Sequence, residues 1–487
     1  MKNMTLHNIT KACGGTFYGE SAQLAQEVAG IALDSRKITK DWLFVATKGE
    51  RVDGHSFIRQ VAKSGALCVI SEQNLKTQDW YQESPCNFIL VSDSFQALKD
   101  LAEFYLSQLS VKVVGITGSV GKTSTKEMIA GVLSEKYNVL KTAGNFNNEV
   151  GLPLTVFELK ESHEIAVLEM GISDFGEMHR LGKIAKPDIC VITNIGQCHL
   201  ENLGDRDGVL RAKTEVFEEM QTAGDVVLNG DDDKLASITK VHGKAPYFFH
   251  KVQCEQWVAE EQGCQRSDHM VYADCIRNQG LLGTVCRIHT GFTFESGELA
   301  AKNQFFEAHI KVPGEVQVNN ACAAATVGLL LGMTAEQIRA GIEKVTPISG
   351  RTNLIQTGNY MLVDDCYNAN PMSMRAAVSL LATANTRRVA VLGDMFELGA
   401  DSDRLHFDTG VCAAESGIEV LCFIGENAKH LYEGAKKAAQ GKGQLYYFAD
   451  KAAFLQQKNQ ILKTGDTILL KASHGMGFTE LVENLKD

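Results

Sequence analysis

The sequence predicts an α/β protein of three domains: a small α/β module, a central parallel-sheet domain, and a second doubly wound domain. Three observations predict it. An apolar run, 111–116, leads through a glycine-rich turn into a helix-forming stretch from 122 to about 137. Two long stretches, 109–346 and 347–487, alternate short apolar runs with helical patterns, the mark of parallel sheets covered on both faces. A chain of 487 residues has room for about three such units.

Residues 1–108 hold short apolar strands between polar turns. One such turn is Asp34-Ser35-Arg36, and another runs from Gly49 through Asp53-Gly54-His55. Phe95, Leu98, Leu101, Ala102 and Tyr105 then recur at helical spacing. In 109–346, the runs 165–169 and 188–194 read as strands that end in polar residues. Ligands bind beyond the carboxyl ends of such strands, which is where Glu169, Asn194 and His199 fall. Between Pro246 and Pro313, runs such as 270–273 and 305–310 favour strands with no helix between them, an antiparallel appendage. The run 319–333 returns to helix. In 347–487, the runs 361–365, 389–394, 420–424 and 468–471 look like parallel strands of a Rossmann-like domain.

Hydrophobic content of 44% and charged content of 22% are those of an ordinary soluble globular protein. A formal charge of −11 argues against a broad nucleic-acid surface. No apolar run reaches the roughly 18 residues a membrane span needs, and Met1-Lys2-Asn3-Met4 opens no secretory signal. The expectation is a cytoplasmic protein. The 13 cysteines include no Cys-x-x-Cys, and Cys254, Cys264, Cys275 and Cys286 are too widely spaced for the usual zinc patterns.

The glycine-rich turn carries the first chemistry. Gly118 and Gly121 let the backbone of Gly118-Ser119-Val120-Gly121-Lys122-Thr123-Ser124 close around an anion. Lys122 can reach outer phosphates, and the Thr123 hydroxyl can ligate magnesium. The strict phosphate-loop pattern would put its first glycine at Ile116; here it stands at Gly115. Coupled to that loop, Glu169 has the position of the acid that closes a magnesium site.

Taken together the motifs resemble the Mur ligases, ATP-dependent enzymes that build the peptide of bacterial cell-wall precursors. They are Gly115-x-Thr117-Gly118-Ser119-x-Gly121-Lys122-Thr123, Glu169-Met170-Gly171, Thr193-Asn194-Ile195-Gly196 with His199-Leu200, Lys213 in its Ala-Lys-Thr-Glu context, Asn320, Gly350-Arg351 and Asp364-Asp365. The displaced first glycine is the family's own. Three further stretches, 144–148, 365–371 and 392–399, are similar to the family member that adds D-alanyl-D-alanine to a UDP-N-acetylmuramoyl-tripeptide, as are the two N-terminal turns. Departures are Val316-Gln317 in place of His-Asn, Cys366 where serine is common, and His474 where arginine is common.

The resemblance implies ATP, two magnesium ions, the UDP-tripeptide and D-Ala-D-Ala as small-molecule partners, and a monomer. It assigns Thr123 and Glu169 to one ion, and His199 with a carbamylated Lys213 to the other. Lys122, Lys213, His199 and Arg351 become the catalytic set, and Asn320, Arg351 and Asp365 join the phosphate loop in holding nucleotide. Ser35, Arg36, Asn145, Asn147, Asn148, Asn368 and Asn370 become candidate substrate contacts. If 207–220 is one helix, Val209, Leu210, Val216, Phe217 and Met220 form an apolar stripe with Lys213 in its middle; burial would lower its pKa and free a neutral amine for carbon dioxide. Two rivals stay open: a nucleotide-dependent switch that turns ATP over slowly, and a related ligase such as the one adding the third residue or a folylpolyglutamate synthetase.

Overall fold

The computed structural model describes the whole chain except residues 84, 253–268, 291–292, 296–297, 301–303, 440, 442 and 487. Cys254 and Cys264 therefore lie outside the described residues.

The first unit is a five-stranded sheet of β1 (Thr16–Tyr18), β2 (Ile31–Ala32), β3 (Leu43–Val45), β4 (Cys68–Ser71) and β5 (Phe88–Leu90) in the order β1-β5-β4-β3-β2. Only β1 runs antiparallel to its neighbour. The Ser94–Ser107 helix follows, capped by the Asp93 carboxylate on Gln96 N at 2.9 Å. Its buried stripe, Ala97, Leu98, Leu101, Ala102 and Tyr105, nearly repeats the sequence pattern, and its face packs on the central unit's Gly151–Phe157 and Glu177–Ala185 helices.

The central sheet has nine strands: β6 (Lys112–Thr117), β7 (Val139–Lys141), β8 (Ile165–Glu169), β9 (Ile189–Ile192), β10 (Asp225–Asn229), β11 (Tyr247–Lys251), β12 (Met270–Asn278), β13 (Thr284–Thr290) and, after a small hairpin of β14 (Thr293–Glu295) and β15 (Glu298–Ala300), β16 (Gln304–Ile310). Their order is β16-β13-β12-β11-β10-β9-β6-β8-β7. The antiparallel stretch expected from the sequence continues this sheet edge to edge. Its β11 and β12 still run parallel, and the direction reverses only at β13 and β16. Strands β8 and β9 are buried on both faces, as strands with helices on either side must be. β6 lies between β8 and β9, where the strand order reverses, so the turn after it opens at the switch point of the sheet.

Two helices differ from their expected limits. The phosphate-loop helix spans Lys122–Leu133 and stops before 137. Ser134 turns its hydroxyl back on Ala130 O at 2.7 Å, and the Tyr137 hydroxyl is bonded to Leu331 O instead. The expected 207–220 helix is two helices, Arg206–Thr214 and Val216–Glu219, with a turn at Glu215. The Thr214 hydroxyl donates to the carbonyls of Leu210 and Arg211 at 2.9 and 3.1 Å, a back-bond that bends helices.

The third unit orders β17 (Asn353–Gln356), β18 (Met361–Asp364), β19 (Arg388–Gly393), β20 (Val420–Ile424), β21 (Gln444–Phe448) and β22 (Thr467–Lys471) as β17-β18-β22-β19-β20-β21. All pairs are parallel except β17 with β18. Against it, the Ser402–Glu415 and Ala428–Ala438 helices meet through glycines. A Cβ on Gly410 would stand 1.9 Å from Leu431 O, and one on Gly434 2.1 Å from Phe407 O. One continuous cluster of buried side chains joins Leu98 and Leu101 to Leu181, Leu200, Met374, Leu392 and Leu398, and so runs through all three units.

No helix among the described residues is long and apolar enough to cross a membrane. The glycine crossing makes a direct prediction. Gly410→Ala should destabilise the protein by about 1–3 kcal/mol, since the methyl has only backbone to displace; a denaturant midpoint equal to that of the wild type would count against the crossing.

Candidate active site

The turn after β6 is held from the neighbouring strand. Asn194 Oδ1 accepts from Val120 N at 2.9 Å, while Thr193 Oγ1 and Asn194 Nδ2 donate to Val120 O at 2.7 and 2.8 Å. Ser119 N donates to Asn194 O at 3.0 Å, and Ser119 Oγ accepts from Gly196 N at 2.8 Å. Ser119 and Val120, expected to contact phosphate, thus spend their amides on fixing the loop. Gly118 has φ +145°, and a Cβ there would sit 2.0 Å from Thr193 Oγ1, so only glycine fits.

What remains free is the helix end. Gly121, at φ +85°, is the N-cap of the Lys122–Leu133 helix and supplies no side-chain cap. The first N–H groups of that helix, from Lys122 to Ser124, have no intrahelical partner and point outward with the positive end of the helix dipole, a ready site for phosphate. Lys122 Nζ folds back onto Gly118 O at 2.9 Å. Burial lowers its pKa, Glu169 pushes it back up, and Arg351 of the third unit is close enough to lower it further.

Thr123 Oγ1 lies 3.2 Å from Glu169 Oε1, which also accepts from Asn147 Nδ2 at 2.8 Å. Glu169 Oε2 is buried without a hydrogen bond and faces the ammonium of Lys126 at 3.5 Å. A hydroxyl and a carboxylate converging at the base of a phosphate loop are the hard oxygen donors that magnesium takes, so these residues fit that ion. Among the described residues no group of three or more His, Cys, Asp and Glu could hold a metal by itself, in keeping with an ion completed by nucleotide oxygens and water.

Lys213 is fully buried in the stripe, beside buried Val209 and Val216, and its Nζ has no hydrogen-bond partner. Desolvation brings its pKa down to about 8. His199 lies at the third unit, its Nδ1 2.5 Å from Glu397 Oε2 as an ion pair off the direction of the ring N–H, so this buried nitrogen has no hydrogen bond. A cleft of about 190 Å³ between the units brings Lys122 and His199 together with Asn368, Asn370, Glu397 and His474.

Other expected residues are placed differently. Asn320 donates to Gln317 Oε1 at 2.7 Å and accepts from Thr125 Oγ1 at 2.8 Å behind the loop helix. Ser124, Gln317 and Arg351 share a second, narrower cleft along that helix. Asp365 is not free: Lys471 Nζ holds Oδ2 at 2.6 Å and Thr352 N holds Oδ1 at 3.0 Å. Asn148 and Asn370 act as helix caps, on Gly151 N at 2.8 Å and Ser373 N at 2.9 Å. Asn145 reaches the Tyr367 hydroxyl across the unit boundary, and Arg351 stacks 4.0 Å over the ring of Tyr367. Ser35 and Arg36 form a turn in the first unit, directly after β2, which touches the Gly151–Phe157 helix. Arg36 is bidentate to Asp34 at 2.9 and 2.8 Å and depresses that carboxylate to about 2. The reading of the sequence missed Lys471 and Glu397 as site residues. A lysine closing an otherwise apolar strand was the available signal for Lys471; for Glu397 there was only its place just past a strand end.

The buried Lys213 has a measurable signature. An ammonium desolvated in the fold but solvated in the unfolded chain costs stability at pH 7, so Lys213→Met should be more stable than the wild type by about 1–3 kcal/mol. The cost is complete below pH 8 and is relieved as pH rises from the folded value of about 8 toward the unfolded one, so the two proteins should converge near pH 10. Denaturant melts at both pH values check this, and a constant difference would contradict it.

The chain matches the Mur ligase middle domain over residues 116–328, the Mur ligase glutamate ligase domain over 350–474, and the Mur ligase family catalytic domain over 27–106. It is 35% identical, over 100% of its own length and 99% of the relative's, to the UDP-N-acetylmuramoyl-tripeptide–D-alanyl-D-alanine ligase of Bacillus subtilis (strain 168). Its fold is similar to a crystal structure of MurF from Acinetobacter baumannii, with TM-score 0.83, 30% identity and 99% and 98% of the two chains covered. It is also similar to MurF from Thermotoga maritima in complex with ADP, with TM-score 0.76, 27% identity and 94% and 97% covered. The three family matches fall on the three units in turn, and the chain belongs to the Mur ligase family.

Proposed function

We propose that this protein is the ATP-dependent ligase that joins D-alanyl-D-alanine to a UDP-N-acetylmuramoyl-tripeptide. The observation that carries the proposal is the cleft between units, where Lys122 and His199 face Asn368, Glu397 and His474. Two reactants held on different units can meet there. Residues 1–108 take the UDP-sugar through the Ser35–Arg36 turn, 109–346 take ATP, and 347–487 bring the acceptor dipeptide. The cleft is built within one chain, so we take the enzyme to act as a monomer, in the cytoplasm where nucleotide substrates reside.

The chemistry follows from charge. The tripeptide's terminal carboxylate and the ATP γ-phosphate repel each other. The free N–H groups after Gly121 and the Lys122 ammonium lower that repulsion and stabilise the charge that builds as the carboxylate attacks phosphorus. ADP leaves and an acyl phosphate forms. The neutral amine of D-Ala-D-Ala then attacks the activated carbonyl, inorganic phosphate departs and an amide remains. Magnesium, when bound, supplies further neutralisation of the phosphate oxygens. Thr123 and Glu169 would hold one ion, with Asn147 and Lys126 keeping Glu169 in place; His199 and a carbamylated Lys213 would hold a second. Arg351, stacked on Tyr367, would reach the nucleotide, and Asp365 would act through Thr352, the residue after Arg351, whose N–H it accepts. Gln317 and Asn320 border the base.

Phosphate release should require both the UDP-tripeptide and D-Ala-D-Ala, and fall to background with either alone. Lys122→Ala should lower kcat by about two to three decades with unchanged circular dichroism. Release that ignores the dipeptide would favour the nucleotide switch, and release with a different amino acid would favour another ligase of the family.

The carbamate has its own test. A neutral Lys213 amine can take up carbon dioxide and turn a cation into a carboxylate ligand. Lys213→Ala should be nearly inactive, and acetate or formate should restore part of the rate by filling the vacated space. Full activity in Lys213→Ala, or density for an unmodified lysine in a magnesium–nucleotide crystal, ends this reading.

A further inference from the structure

The geometry points to Glu397 as the positioning residue that sets His199, so that docking of the third unit, rather than nucleotide binding alone, completes the second ion site. The inference rests on the two-ion reading above. His199 is the N-cap of the short Leu200–Leu203 helix and has φ +53°. Glu397, in the loop after β19, has φ +63°. Neither is glycine, and both backbones sit in the left-handed region, which is strained for L side chains and persists only where surroundings enforce it. The two meet at 2.5 Å from opposite sides of the unit boundary, Glu397 Oε2 on His199 Nδ1. That contact holds Glu397 below the usual carboxylate range.

The seating beneath the pair is backbone on backbone. Leu398 is buried in the same cluster as Leu200. Gly399 has φ +62°, and a Cβ there would fall 3.2 Å from the Glu201 backbone. The loop therefore fits the start of the Leu200–Leu203 helix closely enough to fix where the carboxylate lands. With the Glu397 carboxylate packed beside Nδ1, the ring nitrogen left for an ion is Nε2. A carboxylate beside the far nitrogen of a metal-binding histidine favours the proton there and raises the ring's basicity. Here that carboxylate belongs to the unit proposed to bring the acceptor. Glu397 is itself solvent-facing, with 58% of its side chain exposed, so removing it leaves no cavity and takes away only the charge beside the buried Nδ1 of His199.

The test is Mn²⁺ titration followed by electron paramagnetic resonance in the presence of β,γ-methylene-ATP, beside steady-state kinetics. In Glu397→Gln the second Mn²⁺ should bind about tenfold more weakly, with the first unchanged. The value of kcat should fall by a similar factor, while KM for the UDP-tripeptide stays the same. Glu397→Asp should recover part of the loss. Gly399→Ala, which keeps the carboxylate but lifts the loop, should weaken the second ion as well. Two Mn²⁺ bound to Glu397→Gln with wild-type affinity would overturn the assignment. So would a fall in kcat with both ions unaffected, which would place Glu397 on the substrate. A wild-type protein that takes up a single Mn²⁺ would instead refute the two-ion reading itself.

Discussion

The turn between β6 and the Lys122–Leu133 helix is the constraint on which the site depends. A helix can present bare N–H groups to an anion only if nothing caps it, yet a loop with no cap must be held by something else. Thr193 and Asn194 do the holding, from the end of the adjacent strand β9, through three bonds to Val120 and one to Ser119. The parallel pairing of β6 with β9 sets their height. The register of the sheet, the φ of +145° at Gly118 and the openness of the helix end are one arrangement. A side chain at Gly118 would break it through Thr193.

Charges buried around this turn are organised by the same economy. Lys126 is nearly inaccessible and sits between Glu127 at 3.4 Å and Glu169 at 3.5 Å. Lys471 is equally enclosed and has Asp365 at 2.6 Å with the Asn368 carbonyl at 3.0 Å. Each is a paired ion whose single removal would strand its partner. Lys213 differs: it is as deeply buried, and its Nζ has no hydrogen-bond partner among the described residues.

Much of this was legible in the sequence because it is local or periodic. The strand–turn–helix order pointed to the phosphate loop, and polar residues at the ends of apolar runs pointed to Glu169, Asn194 and His199. A lysine in an apolar stripe announced the burial of Lys213 even though Thr214 bends the helix at Glu215. What could not be read depends on contacts between distant segments. Nothing near Glu397 tells that its partner is His199, nor does the sequence around Asp365 name Lys471. Asn148 and Asn370 illustrate the reverse: amides in a motif drew a substrate role, while local geometry gave their side-chain oxygens to helix N-termini. The antiparallel strands were recognised as strands, but their attachment to the edge of the main sheet is a matter of tertiary pairing.

The glycine crossing of the third unit has a mechanical consequence. Where Gly410 and Gly434 bring the Ser402–Glu415 and Ala428–Ala438 helices together, backbone touches backbone and no flexible side-chain layer lies between them. Compliance is lowest there. The connection into the third unit is pinned as well: Gly350 N donates to Asp364 Oδ2 at 2.8 Å and Thr352 N to Asp365 Oδ1 at 3.0 Å, at φ +74° and +51°. Displacing one of the two helices therefore displaces the other with it, and the pair moves as one piece.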